Sequence, residues 1–316
     1  MRYETLHGVS VPKIGFGTWR IGGDSYPDLE RDPAAMAALQ TALEVGYTHF
    51  DTAEVYASGH SEELLGRAIR ETNTSRESVF ITTKVSPEHL QYDQILKSCE
   101  NSLRRLQMDY VDLYQIHRFD PETPVEETLE ALNDVVRSGR ARYIGASSMF
   151  AWQFAKMLHT SDLRGSARFV SMQDHYNLVY REEEREMIPL CIDQGIGLIP
   201  WSPLARGFFA GDRKRGGGGE TVRANSDPFG NSLYFRDEDF AVAEGVAALA
   251  KERDVTGSQI ALAWILSKPH VTAPIVGATK MDHLNQAIAA LDIRLSEEEI
   301  RKLEELYKPH PVLGHS

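Results

Sequence analysis

Four side chains in the first half of the chain could together move a proton: Asp51, Tyr56, Lys84 and His117. Asp51 and Tyr56 stand five residues apart in "THFDTAEVY", where an alternating apolar run stops and a loop of Gly, Pro, Asn and Ser would be usual. Lys84 closes the run "SVFITTKV" and His117 closes "YVDLYQIH". Lysine and aspartate are rarely buried without a partner, so Asp51 and Lys84 read as an ion pair. A cation beside a phenol favours the ionised form, so Tyr56 is expected to fall below its ordinary pKa of ~10. Such a tyrosine can give its proton to a developing alkoxide near neutral pH. His117 would then hold the substrate oxygen by a hydrogen bond.

Taken singly, each residue has a plainer reading. Asp51 could serve only as a helix cap, Tyr56 as a loop aromatic and His117 as a core histidine. It is their joint position, at the ends of three apolar runs, that reverses this.

Those runs belong to a regular series. Eight short β-rich stretches recur: "KIGFGT", "YTHFDT", "SVFITTKV", "YVDLYQIH", "ARYIGASS", "FVSMQDH", "GIGLIPW" and "VTAPIVG". Helical patterns follow them, at Pro33–Val45, Ser61–Glu71, Tyr92–Gln107, Val125–Ser138, Ala151–His159, Glu182–Gln194, after Phe240 and from near Met281. Strict alternation predicts a parallel sheet with helical crossovers, and eight rounds predict a closed (β/α)8 TIM barrel of the α/β class. No G-x-G-x-x-G follows the first run, which counts against a doubly wound nucleotide fold. In such barrels the working residues stand at the C-terminal ends of strands.

Two segments break the rhythm. "YETLHGVSVPKIG" predicts an N-terminal β-hairpin turning at His7-Gly8 and plugging the barrel floor. Leu204–Asp239 reads as a long loop after the seventh barrel strand, with "GGGG" at Gly216–Gly219 and with Arg213, Arg215 and Arg223 within it. The last helix opens at Ser296 with Glu299 three residues on, a capping box. Residues 1–316 are expected to form one barrel domain.

Composition narrows the class. Hydrophobic residues make up 42% and charged residues 25% of 316, as in a globular protein in water. No run has membrane-spanning length and the first residues carry no signal-peptide core, so a cytoplasmic location is expected. Cys99 and Cys191 lie in no metal or redox spacing and read as core residues, and no metal site is expected. A net charge of −12 argues against general nucleic-acid binding. The acids of "REEERE" read as an exposed helix face.

"THFDTAEVY", "TTKV" and "YVDLYQIHR" resemble signature segments of the aldo-keto reductase superfamily, and the likeness runs in order through nearly the whole chain. Within it, "RYIGASSM", "YNLVYREEEREMIPLC" and "PWSPLARG" resemble bacterial reductases related to the potassium-channel β subunits. The resemblance makes Asp51, Tyr56, Lys84 and His117 the catalytic tetrad. It implies NADPH as cofactor, with the nicotinamide carboxamide held by Ser147, Ser148 and Gln173 and its ring stacked on Trp201. Thr18 and Trp19, with Asp51, would border the same end. Ser202, Pro203, Leu204 and Arg206 would wrap the pyrophosphate, with Arg223 closing over it. Gly277, Thr279, Lys280, His283 and Gln286 fall where the family holds the adenosine 2′-phosphate, at a helix N-terminus that favours anions. Many members carry Lys, Arg and Asn where this chain has Gly277, His283 and Ala287, and Asn where it has Ser148. Lys280 would then supply the charge, and NADH stays possible.

Three functions remain open. The first is NADPH-dependent reduction of aldehydes or ketones by hydride transfer, Tyr56 giving the proton, in a mixed pocket lined by Trp19, Tyr26, Tyr56, Phe119 and Met149. The second is a redox-sensing cofactor-binding subunit with little activity; His117 speaks against it. The third is a hydrolase with paired carboxylates, which would need a second acid close to Asp51; none stands out at the strand ends, although Asp174 follows the sixth run. Oligomeric state is open.

Overall fold

The computed structural model describes residues 1–6, 8–211, 233–234, 236–278 and 281–315. Tyr3–Leu6 (β1) and Val9–Pro12 (β2) pair antiparallel, with Leu6 opposite Val9. Gly8 in the turn takes φ +82°, a left-handed value that costs glycine little. Eight parallel strands follow: Gly15–Gly17 (β3), His49–Asp51 (β4), Phe80–Val85 (β5), Val111–Ile116 (β6), Ala141–Ser147 (β7), Phe169–Gln173 (β8), Gly197–Leu198 (β9) and Ile275–Val276 (β10). Their order in the sheet is β10-β3-β4-β5-β6-β7-β8-β9. The two edges meet: Thr272 N donates to Leu198 O at 2.8 Å and Ile275 N to Pro200 O at 2.8 Å. The sheet is thus the predicted (β/α)8 barrel.

Helices cover the strands: Asp32–Glu44 (α1), His60–Glu71 (α2), Tyr92–Leu106 (α3), Val125–Arg137 (α4), Ala151–Arg164 (α5), Met187–Gln194 (α6), Asp237–Glu252 (α7), Gly257–Leu266 (α8), Met281–Ala290 (α9) and Glu297–Glu304 (α10). The capping box opens α10: Glu299 N donates to Ser296 Oγ at 3.3 Å and Ser296 N to Glu299 Oε2 at 2.6 Å. Cys99 and Cys191 are buried on α3 and α6.

The period of two along each strand sorts the interior into storeys. On β5, Ile81 and Val85 face the helices, whereas Phe80, Thr82 and Lys84 face the lumen. Phe80 meets Leu113, Val170, Ile199, Ala273 and Ile275 at the floor, and Leu6 and Val11 of the hairpin seal it. The middle storey is polar, with His49 Nε2 3.1 Å from Thr82 Oγ1 and Ser171 Oγ donating to Gln115 Oε1 at 3.3 Å. Gly145 makes room there, because a Cβ would stand 2.4 Å from Ser171 Oγ. The top storey holds Asp51, Lys84 and Gln173.

Four expectations change. Helix α5 runs on to Arg164, past His159, because Thr160 Oγ1 satisfies itself on Lys156 O at 2.8 Å and Gly165 ends the helix at φ +62°. The stretch Glu182–Gln194 is a 3-10 turn, Glu182–Glu184, before α6, whose third residue is Pro189, tolerated only in a first turn. The acids of "REEERE" are no exposed face. Glu183 is buried against His315 Nε2 at 2.9 Å, and Glu182 accepts from His310 N at 2.8 Å, so this turn anchors the C-terminal tail. The long loop is shorter at both ends than Leu204–Asp239, with a 3-10 stretch over Ala205–Ala210 and α7 starting at Asp237. Gly216–Gly219, Arg213, Arg215 and Arg223 lie outside the described residues.

Candidate active site

Strand ends bring the proton-handling groups together. Lys84 is fully buried at the top of β5, and its ammonium donates to Asp51 Oδ1 at 2.6 Å, Thr52 O at 2.8 Å and the Tyr56 hydroxyl at 3.3 Å. Gln173 Nε2 donates to the second Asp51 oxygen at 2.7 Å. Asp51 is therefore held at both oxygens, and the Lys84 ammonium uses all three protons. Tyr56 begins a short turn in which Ala57, Ser58 and Gly59 all have positive φ, at 47°, 53° and 94°. Backbone held there by non-glycine residues is strained, and such strain gathers where a side chain must be aimed. Ala57 N tied to Asp24 O at 3.1 Å and Ser58 Oγ tied to Ser25 O at 3.0 Å hold it.

The Tyr56 ring is packed edge-on by Trp19 at 5.0 Å and by His117 at 5.7 Å between centroids. His117 stands just beyond β6, fixed by its N–H on Val85 O at 2.9 Å.

The electrostatics differ from the sequence expectation at one point. Burial raises the Tyr56 hydroxyl above its ordinary pKa, outweighing the opposing pull of Lys84. Burial works against charge on Lys84 too, but Asp51 and Tyr56 more than compensate and its pKa is raised. Burial, then the charges of Lys84 and Arg118, push His117 well below the usual imidazole range, so its ring is neutral. The site thus holds a neutral phenol, a neutral imidazole and a cation beside the phenol oxygen. Such a set can donate a proton to a substrate oxygen and stabilise the charge left behind.

The residues expected to border a dinucleotide follow round the rim. Thr18 is buried, its N–H bonded to Asp51 O at 2.9 Å and its hydroxyl without a partner among the described residues. Ser147 Oγ donates to Gln173 O at 2.9 Å, and the Trp201 indole N–H donates to Ser148 Oγ at 2.8 Å. Ser148, Ser202, Ala205 and Arg206 all have positive φ, which folds the backbone sharply around the mouth. Ser202, Pro203, Leu204 and the buried Arg206 continue from Trp201 beyond β9. Beyond β10, Gly277 and His283 are exposed and Gln286 is half-buried on α9. Arg223, Thr279 and Lys280 lie outside the described residues.

Other groups went unassigned in the sequence. Trp201 lies flat on His175, at 4.2 Å and 13°, and His175 lies flat on Tyr180, at 4.1 Å and 10°. His175 is fixed by the Tyr234 hydroxyl at 2.6 Å. Arg118, inside the quoted "YVDLYQIHR", donates through Nη1 to His117 O at 2.5 Å and Ser147 Oγ at 3.3 Å. Its position next to His117 was the available signal. Two pocket candidates fall away: Met149 is withdrawn into the hydrophobic core, and Tyr26 is 78% exposed. Asp174 does not join Asp51. Burial, then the nearby Glu183 carboxyl, raise it well above the usual carboxylate range, and no second acid completes a hydrolytic pair with Asp51 among the described residues.

Comparison with known proteins shows the family. The sequence profile described as "Aldo/keto reductase family" matches residues 13–308. An aldo-keto reductase of Fusarium vanettenii is 40% identical, over 98% of this chain and 91% of its own length. The crystal structure of a thermostable aldo-keto reductase in complex with the inhibitor epalrestat matches with TM-score 0.82 and 38% identity, covering 97% of this chain and all of that one. An aldo/keto reductase from Klebsiella pneumoniae, in complex with NADP and acetate, matches with TM-score 0.77 and 33% identity, covering 96% of this chain and 94% of that one.

Proposed function

Because the chain belongs to the aldo/keto reductase family and is an NAD(P)H-type oxidoreductase, we propose that it reduces aldehydes or ketones to alcohols with NADPH. The observation that carries the reading is the Lys84 ammonium shared between Asp51 and the Tyr56 hydroxyl, with His117 against the same ring.

The residues round the mouth fit a nicotinamide dinucleotide. The unpartnered Thr18 hydroxyl, the Ser147 and Gln173 side chains and the Trp201 ring offer polar and flat surfaces at one end. The left-handed turns at Ser202, Ala205 and Arg206 turn the backbone sharply beside it. When bound, NADPH supplies the hydride. Tyr56 gives its proton to the carbonyl oxygen as charge grows there. Lys84, 3.3 Å from the phenol oxygen, stabilises the phenolate that remains. Asp51, itself held by Gln173, fixes Lys84 in place without taking part in proton transfer. Neutral His117 offers an N–H to the same substrate oxygen, which orients the carbonyl.

Among the described residues no helix is long and apolar enough to cross a membrane. The test is a panel of aldehydes and ketones with NADPH and with NADH, followed by loss of reduced-cofactor absorbance. Turnover that is faster with NADPH supports the reading. Tight NADPH binding with no turnover on any carbonyl would favour a cofactor-sensing subunit instead.

A further inference from the structure

A partly buried guanidinium at the reacting end of the mouth has no counter-ion among the described residues. Arg118 follows His117 directly, and its central carbon lies 5.8 Å from the Trp201 ring centre. Its Nη1 is bonded to two neutral oxygens, His117 O and Ser147 Oγ. Among the described residues, Nε and Nη2 have no hydrogen-bond partner, and no carboxylate pairs with the group. The acids at and just beyond the neighbouring strand ends are engaged elsewhere. Asp51 is held by Lys84 and Gln173. Asp120, two residues on, accepts from Glu122 N, Thr123 N and the Thr123 hydroxyl. Glu54 accepts from Ser86 N and meets His89.

Arginine is seldom withdrawn from water without an anion, and its planar fork matches a carboxylate at two points. Arg118 follows His117 in the chain and bonds its carbonyl, and its charge is felt by both Tyr56 and His117, so an anion bound to it would sit at the substrate end of the mouth. The chain as a whole carries −12 and repels anions, so a preference for one must come from a local cation.

We propose that Arg118 selects carbonyl substrates that also carry a carboxylate, such as short oxo acids and carboxylated aromatic aldehydes. The selection rests on the reductase reading of the same site. It makes Arg118 a residue of substrate choice, separate from the proton-handling set.

The experiment compares 4-carboxybenzaldehyde with its uncharged methyl ester, both with NADPH, in wild type, Arg118→Gln and Arg118→Lys. The wild-type kcat/KM is expected to favour the carboxylate. In Arg118→Gln that ratio should fall about 10- to 100-fold, the scale of a lost charge-assisted pair, chiefly through KM. Arg118→Lys should keep part of the preference. An unchanged ratio in Arg118→Gln would overturn the proposal, as would equal losses on both substrates, which would show a cofactor or structural role. If wild type turned over neither aldehyde the reductase reading itself would fall, and Arg118 would be judged by binding instead. Benzoate should then bind wild type more tightly than benzamide, with the difference gone in Arg118→Gln; equal binding of the two by wild type would reject the assignment.

Discussion

The Lys84 ammonium lies 3.3 Å from the Tyr56 hydroxyl, yet Tyr56 holds its proton more firmly than a tyrosine in water. Lys84 already gives two of its protons to Asp51 and the Thr52 carbonyl, and Tyr56 is buried. The cation is therefore best placed to help after the proton has left. Tyr56 waits as a protonated donor, and the stabilisation by Lys84 grows as the phenolate forms.

Tyr56→Phe keeps the ring packed between Trp19 and His117 and removes only the donor. General acid catalysis typically contributes about 100- to 10,000-fold, so kcat for aldehyde reduction should fall by that order. The binding of NADPH, measured by tryptophan quenching, should stay near the wild-type value. A variant that reduces aldehydes at the wild-type rate would remove Tyr56 from the mechanism.

Lys84→Met leaves the buried Asp51 carboxylate with Gln173 alone. Breaking a buried pair by removing one member costs about 3–5 kcal/mol, and urea unfolding should show a loss on that scale together with lost activity. Asp51→Asn combined with Lys84→Met should regain part of the stability and none of the activity. No recovery in the double variant would mean that the two charges are not coupled.

The pH profile of reduction follows from the two shifted groups. Tyr56, raised above its ordinary value, stays protonated through the neutral range, and His117, lowered well below its own, stays neutral there. Reduction should therefore run at a nearly constant kcat/KM from about pH 6.5 to 9, with the alkaline loss beginning only above the ordinary tyrosine value of ~10. An acid limb centred inside that window would contradict the assignment of His117, and an alkaline limb that of Tyr56.

Stability should respond to acid through His49, below the tetrad. Burial, opposed by Asp51 and aided by Lys84, brings its pKa down to about 4. The unfolded chain takes up its proton near 6.5, so below that value the unfolded state binds more protons and stability falls with pH, levelling off below the folded value. The loss at pH 5 from this residue is about 2 kcal/mol. His117 and His175 act in the same direction, whereas His60, raised between Asp32 and Glu63, acts in the opposite one. Urea midpoints at pH 7 and 5 should differ less in His49→Leu than in wild type. An equal difference would show that His49 is not the acid-sensitive group.

Much of the barrel could be read from pattern, because the period of two and the strand–helix alternation are local properties. All eight strand stretches hold, and so does the hairpin that seals the floor with Leu6 and Val11. The convergence of Asp51, Tyr56, Lys84 and His117 was legible for the same reason, since strand ends of a barrel share one rim. The direction of the Tyr56 shift was not legible, because a sequence shows neighbouring charges but not the burial that outweighs them. Nor were the buried Glu183 and the stack of Trp201 on His175, which depend on a tail and on strands distant along the chain. Arg118 was in view as a letter beside His117, but that no acid among the described residues pairs with it is visible only in three dimensions.

The barrel is stitched unevenly. Strands β5 and β6 have six residues and β7 has seven, whereas β9 and β10, which meet at the closing seam, have two each. Amide hydrogens along that seam, at Thr272 and Ile275, should exchange with deuterium sooner than those of β5 and β6, since short ladders open at lower free energy. The proposed dinucleotide contacts stand on both lips, from Trp201 to Arg206 beyond β9 and from Gly277 to Gln286 beyond β10. A dinucleotide lying across them would act as a clasp on the weakest join. It would slow exchange there in proportion to occupancy and leave the opposite wall almost untouched. The lifetime of the closed ring would then be set by the supply of nicotinamide dinucleotide in the cell as much as by the packing of the chain itself.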